Sequence, residues 1–278
     1  MREDAPSFPL VSAVIPAYNH EKYVAEAVAS LFAQTYPHIE LLVIDDGSTD
    51  NTWGVLQGIK EAAEKRFARV SFKTQENRGV CATLNALFRE AKGDCVYYLG
   101  SDDVAEPDAL LILRDFLSKN PDYVLAVGDN SIIDSEGRFR SIGGSKTFSQ
   151  VSGKTQINLE SSDFGSYGTL ILCGNHVPNG YMLRTSIVNE ITLPEDIGLE
   201  DFYLHLQLAK RGKMKYIDRE LLRRRLHEKN TSADAGKVQN LMQQTFWKEV
   251  QTVRESGNVA MIRFMEKCIL FHKKRSEL

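Results

Sequence analysis

The sequence predicts an α/β fold: a mostly parallel sheet with helices on both faces, plus a helical C-terminal extension. Three observations carry this. Short runs rich in Val, Ile and Leu recur through the first half of the chain. Amphipathic stretches of helical period separate them, and strands apolar on both sides belong to sheets covered by helices on either face. From Gly236 to Lys274 the pattern stays helical, with no strand between.

Taken in order, VSAVIPAY (11–18) reads as a buried strand and EKYVAEAVASLFAQ (21–34) as a helix. IELLVIDD (39–46) is the next strand; Asp50 or Ser48 then offers a short side-chain oxygen to cap a helix over TWGVLQGIKEAAEKR. VSFKTQ (70–75) and VCATLNALFREAK (80–92) repeat the alternation. CVYYLGSDD (95–103) is a fourth strand, and Pro107 suits the first turn of a helix over DALLILRDFLSKN. YVLAVGDNSIID (123–134) is a fifth. Residues 135–170, rich in Gly, Ser and Thr, read as loops with at most a short strand, and the stretch 141–168 as a mobile lid or acceptor loop. GYMLRTSIVNEI (180–191) reads as a strand entering a helix, and EDFYLHLQLAKRG (200–212) as a helix closed by glycine. The expected organisation is one α/β unit over 1–235, divided near 134, followed by a helical extension over 236–278.

Of 278 residues, 42% are hydrophobic and 26% charged, an ordinary soluble balance. The net charge of −3 does not announce nucleic acid as a partner. Its distribution is uneven, with 17 Lys and Arg against 8 Asp and Glu over 203–278. The tail MIRFMEKCILFHKKR (261–275) mixes apolar and basic residues at helical spacing, which suits peripheral contact with an anionic membrane or packing on the α/β unit. The four cysteines are scattered without zinc or disulfide spacing, and neither a signal peptide nor a membrane span is read. The expected location is cytoplasmic, including the inner face of the membrane.

Two apolar runs end in paired carboxylates, Asp45-Asp46 and Asp102-Asp103. In an open parallel sheet, ligands bind beyond the carboxyl ends of the strands, where Asn19 also falls. Adjacent anions there call for a positive charge. Neither G-x-G-x-x-G nor a P-loop follows the first strand, so a divalent cation such as Mg²⁺ or Mn²⁺ is the natural way to neutralise a phosphate ligand. Asp103 would supply the protein oxygen and Asp102 would accept from a sugar hydroxyl. The plainer alternative is that strand-end carboxylates cap the helices that follow.

The series VSAVIPAYNHEKYVAEAVASLFAQTYPHIELLVIDDGSTDNT, ENRGVCATLNALFREAKGDCVYYLGSDD and GLEDFYLHLQLAKRG resembles the inverting, GT-A-fold nucleotide-sugar glycosyltransferases that build bacterial polysaccharides. The resemblance runs from about Val11 to about Ser232. It implies that Pro16, Ala17, Tyr18 and Asn19 wall the nucleotide pocket, with Tyr18 stacking on the base and Asp46 accepting the uracil imide N–H. Asn77, Arg78 and Gly79 would line the pocket near base and phosphate. The D-x-D motif of the family would stand here as Ser101-Asp102-Asp103, Asp103 being the metal ligand and Asp102 the ribose or sugar contact. Asp201 would be the general base, with Glu200 beside it. Arg225 would neutralise the diphosphate, and His227 would add a metal ligand or phosphate contact within a segment that also carries Asn230 and Ser232. Asn179 and Gly180 would face the acceptor.

The resulting expectation is a metal-dependent enzyme using Mn²⁺ or Mg²⁺ to move a sugar from a UDP-sugar, with inversion, to a saccharide or lipid-linked saccharide acceptor in surface-polysaccharide assembly. A nucleotidyltransferase shares the sheet but wants a Gly-rich basic loop after the first strand, which IPAYNHEKYV lacks. A catalytically silent nucleotide-sugar scaffold is the remaining alternative, and the retained carboxylates speak against it.

Overall fold

A computed structural model describes residues 8–141, 158–197, 199–228, 230 and 234–276. Nine strands form one sheet: β1 (Val11–Ala17), β2 (Ile39–Asp45), β3 (Arg69–Thr74), β4 (Cys95–Tyr98), β5 (Val104–Ala105), β6 (Tyr123–Ile133), β7 (Phe139–Ser141), β8 (Tyr181–Arg184) and β9 (Lys213–Arg225). Their order is β3-β2-β1-β4-β8-β6-β9-β5, with β7 on β6. β1–β4 are mutually parallel, and β6 runs parallel to β9. β8 lies antiparallel between β4 and β6, and β5 and β7 are also reversed. The sheet is therefore mixed, although most of its length runs one way.

Alternation along the strands divides the core into two layers. Val11, Ala13 and Ile15 of β1 and Ile39, Leu41 and Val43 of β2 face one way. There they meet α1 (Val24–Phe32), α2 (Thr52–Arg66) and α4 (Ala109–Lys119). Val14, Leu42, Ile44 and Val96 face the other way, against α3 (Val80–Glu90). That second layer also takes α5 (Tyr167–Cys173), α6 (Thr185–Val188) and α7 (Glu200–Ala209). Each buried aliphatic side chain contributes roughly 1.5–3 kcal/mol, so both faces need their helices.

The helical extension consists of α8 (Ala235–Glu255) and α9 (Val259–Ser276). Val250, Val253, Met265 and Cys268 are buried in the second layer. Glu249, fully buried, pairs with Lys210 Nζ at 2.6 Å and accepts from Tyr167 Oη and Gln207 Nε2 at 2.6 and 2.8 Å. The apolar side of the extension thus packs on α5 and α7. No described helix is long and apolar enough to cross a membrane.

One segment takes an element that the sequence reading left unassigned. Lys213–Arg225 forms the long strand β9, where the basic run RRRLH taken alone suggests a helix surface. Within 141–168, residues 142–157 lie outside the described residues, and with them most of the expected lid; 158–166 are turns that lead into α5.

Candidate active site

The turn after β1 is clamped to the start of α2. Asn19, the one described non-glycine residue with positive φ (53°), donates its N–H to Ser48 Oγ and accepts from Thr49 N at 2.9 and 2.8 Å. His20 N donates to Thr52 Oγ1 at 2.8 Å. A left-handed Asn is tolerated because its short amide bonds locally. Here it turns His20 toward the end of β4, where its Nδ1 lies 2.7 Å from Ser101 Oγ.

The turn after β4 separates its two carboxylates. Asp103 is 3% exposed; its Oδ1 accepts the Arg225 N–H at 2.9 Å, and Asn179 also hydrogen-bonds it. Burial, then the charge of Asp102, pushes its carboxyl up to about 7. Asp102 Oδ2 lies 3.1 Å from His227 Nε2 and accepts from Asn230 Nδ2 at 3.0 Å. Burial works to raise its carboxyl, but the His227 hydrogen bond and the charges of His20 and His227 outweigh it and hold the group low. Asp103 thus ties β4 to β9, and Asp102 meets His227. The ring of His227 stacks on Tyr23, centroids 4.8 Å apart. His20, Asp102 and His227 each present a ligand atom within 4.8 Å of the others. This mix of imidazole and carboxylate fits a divalent cation.

Arg225 is anchored within the protein. It is 1% exposed, its Nε donates to Asp102 O at 2.9 Å and its Nη1 to Asp134 O at 3.1 Å, and Nη2 pairs with Glu26. Three of its five N–H donors are thus committed to protein acceptors. Alternation along β9 sends Arg223 to Glu106 at 2.9 Å and turns Arg224 to the opposite face. The charge of Arg224 acts on both Asp103 and Asp201.

Glu200 and Asp201 open α7, where the positive end of the helix dipole favours carboxylates. Burial, then the Asp201 charge, pushes Glu200 up to about 8. Asp201 is also raised by burial, against the opposing pull of the Phe202 N–H, Arg224 and Asn175. Its Oδ2 accepts from Asn175 Nδ2 at 2.9 Å, and Asn175 Oδ1 lies 3.0 Å from His205 Nδ1. Burial, then His176, lowers the buried His205 to about 3, so it is neutral and donates from Nδ1. The two ends of the site share one neighbourhood: the Tyr98 hydroxyl is held well above its usual range by burial, then by Glu200, Tyr181, Asp201 and Asp102.

The residues expected at the nucleotide pocket gather at the ends of β1 and β2 and the start of α3. Asp46 accepts from Gln75 Nε2, Arg78 N and Gly79 N at 2.7, 3.0 and 2.8 Å. Those bonds leave about one of its four acceptor positions for a ligand. Gly79, at φ +85°, turns its N–H to that carboxylate and also donates it to Asn77 Oδ1 at 3.2 Å. Tyr18 is 45% exposed, while Pro16 and Ala17 form the wall behind it, Ala17 O accepting from Asp46 N at 2.8 Å. Arg78 pairs at the surface with Glu195 at 3.1 Å. On the acceptor side, Asn179 is engaged with Asp103, and Gly180 (φ +72°) has Leu222 Cδ1 3.0 Å from where a Cβ would stand. Ser232 lies outside the described residues. A separate cavity of about 510 Å³, lined by Ile112, Phe116, Lys215 and Tyr216, contains none of these groups.

Sequence reasoning missed His20, Asn175, His205 and Arg224. His20 directly follows Asn19 in the quoted turn, which was its signal, whereas Arg224 stands out only once β9 is known to be a strand.

Comparison with known proteins agrees with this architecture. The pattern of glycosyl transferase family 2 matches residues 12–171. The chain is 30% identical over 227 residues to a chondroitin synthase of Escherichia coli, covering 81% of this chain and 30% of that protein. It is also 30% identical to a hyaluronan synthase of Pasteurella multocida, covering 81% of this chain and 21% of that one. The chain thus spans under a third of the length of either synthase. Among solved structures, a mannosyltransferase from Pyrobaculum calidifontis in complex with GDP-Man and Mn²⁺ superimposes with a TM-score of 0.65 at 18% identity, covering 88% of this chain and 65% of that chain. S. aureus TarS in complex with UDP-GlcNAc gives 0.61 at 20% identity, covering 81% and 61%. With its family pattern, its mixed sheet and its carboxylates at the strand ends, the chain belongs to glycosyl transferase family 2.

Proposed function

We propose that the chain transfers a sugar from a UDP-sugar, with inversion, to a saccharide acceptor in surface-polysaccharide assembly. One observation carries the reading: Asp102 of the His/Asp/His group and the Glu200–Asp201 pair all act on the Tyr98 hydroxyl, and Arg224 acts on both Asp103 and Asp201. Support for the donor comes from TarS, a structural neighbour in complex with UDP-GlcNAc, and from Asp46, which keeps an acceptor position for an imide N–H. Support for the acceptor class comes from the chondroitin and hyaluronan synthases among the relatives.

In this reading Tyr18 stacks on the base and Asn77, Arg78 and Gly79 border it. Asp102 and His227 hold a divalent cation, which supplies positive charge to the diphosphate oxygens. Arg224, rather than Arg225, adds a fixed cation. Asp201 takes the proton from the acceptor hydroxyl, whose oxygen attacks the anomeric carbon from the face opposite the diphosphate; UDP leaves with the bonding pair. Glu200, protonated at neutral pH, donates a hydrogen bond without competing for that proton.

The test is UDP release from a panel of UDP-sugars with Mn²⁺, read with and without oligosaccharide acceptors. Release that rises with acceptor, and is lost in Asp201→Asn while UDP still binds, supports the reading. UDP binding with no turnover across the acceptor panel overturns it.

A further inference from the structure

We propose that His20 completes a three-ligand cation site with Asp102 and His227, and that this site takes Mn²⁺ in preference to Mg²⁺, before any nucleotide binds. The inference deepens the reading above and rests on its placement of the cation at Asp102 and His227.

The spacing suits a metal. First-row cations sit roughly 2.0–2.2 Å from nitrogen and oxygen ligands, so neighbouring ligand atoms end about 3 Å apart. Asp102 Oδ2 and His227 Nε2 are already 3.1 Å apart, and all three ligand atoms lie within 4.8 Å of one another. His20 therefore closes on the other two by a side-chain adjustment, with no movement of the strands. No other group of three such side chains is found among the described residues.

The backbone holds His20 ready. Its N–H is fixed to Thr52 Oγ1, and the residues on either side are clamped to the α2 entrance through Ser48, Thr49 and Asp50. The ring is held by Ser101 Oγ at 2.7 Å and lies edge-on to His227, centroids 5.5 Å apart. Outer contacts of this kind orient a ligand imidazole and set its tautomer. Tyr23, stacked on His227, holds the second imidazole in the same manner.

The donor set then selects the ion. Two imidazoles and one carboxylate suit Mn²⁺ and its heavier neighbours, whereas Mg²⁺ demands an oxygen shell and keeps its waters. A site with only two protein ligands leans on phosphate oxygens to retain its metal. A third ligand removes that dependence, so the cation is in place when the nucleotide arrives.

The experiment uses the full chain after chelator treatment. Mn²⁺ is titrated without nucleotide and followed by the electron paramagnetic resonance signal of the free ion. Mg²⁺ is then added in competition, and UDP binding is measured by calorimetry with and without Mn²⁺. Wild type binds one Mn²⁺ per chain, and a large excess of Mg²⁺ does not displace it. Loss of an outer contact alone costs about 10–100-fold in metal affinity, so His20→Ala should weaken Mn²⁺ at least about tenfold. Ser101→Ala weakens it less. If His20→Ala unfolds, His20→Gln carries the same comparison. Equal Mn²⁺ affinity in wild type and the His20 variant overturns the inference, as does displacement by equimolar Mg²⁺. If UDP still binds in that case, the proposed function stands alone. If Mn²⁺ binding depends on His20 but no UDP binds under any condition, the site stands and the proposed function falls.

Discussion

Asn175 donates its side-chain N–H to Asp201 Oδ2 at 2.9 Å, while its carbonyl faces His205 Nδ1 at 3.0 Å. An ionised carboxylate only accepts, so Asp201 takes the NH₂ of Asn175 and leaves the amide oxygen to the neutral His205, whose Nδ1 then carries the proton. The amide beside the proposed base thus sets the tautomer of a buried ring. Asn175→Ala removes a hydrogen bond to a charged group, worth roughly 1.5–3 kcal/mol. The acid limb of the kcat profile should move up, because Asp201 loses a contact that favours its ionised form. KM for the donor should stay within about twofold. An unmoved limb would leave Asn175 with a structural role alone.

Glu200 sets a pH dependence of stability. Its carboxyl is raised from an ordinary 4.5 to about 8 by burial, then by Asp201. A carboxyl raised on folding holds its proton more tightly in the native chain. The stability so gained is complete below about 4.5 and is lost as pH climbs through about 8. Glu200→Gln cannot ionise. Its melting temperature should therefore exceed that of the wild type by several degrees above pH 8 and converge with it toward pH 5. Parallel melting curves across that window would contradict the assignment.

The separate contacts of Asp102 and Asp103 are open to direct measurement. Asp103→Ala strands the buried Arg225 N–H, costing about 1–3 kcal/mol, and should lower the melting temperature by several degrees. Mn²⁺ binding without nucleotide should be nearly unaffected. Asp102→Asn should do the reverse, keeping the melting temperature and losing the metal. Loss of metal in both variants at unchanged stability would identify Asp103 as a ligand.

The two neighbouring arginines should separate in the same manner. Arg225→Gln breaks the Glu26 pair and two carbonyl contacts, for a loss of about 2–3 kcal/mol in denaturant titrations. Arg224→Gln should unfold like the wild type and lose at least about tenfold in kcat, about 1.4 kcal/mol of barrier. Full activity in Arg224→Gln would exclude it from the reaction.

The α/β half was legible because its strands are apolar on both faces and its helices are not. Val11–Ala17 and Ile39–Asp45 stand close to where their composition puts them. Lys213–Arg225 was not legible, since its buried face alternates with basic side chains that also suit a helix surface. That one omission explains the choice of Arg225 over Arg224: only a strand sends neighbours to opposite faces. The separate contacts of Asp102 and Asp103 were not legible for a similar reason. Strand pairing stops at Tyr98, and a turn closed by Asp103 N on Gly100 O decides which carboxylate faces inward. His20 and Asn175 carry no periodic signal, because each owes its place to contacts far away in sequence.

Buried Glu249 of α8 has its consequence at α7, the helix that opens with Asp201. Lys210 and Gln207, which it joins, sit on the final turns of that helix. A cut between β9 and α8 would take Glu249 from Lys210, Gln207 and Tyr167 and expose the apolar flank that Val250 and Val253 cover. Shortened versions intended for expression or crystallography should retain both terminal helices.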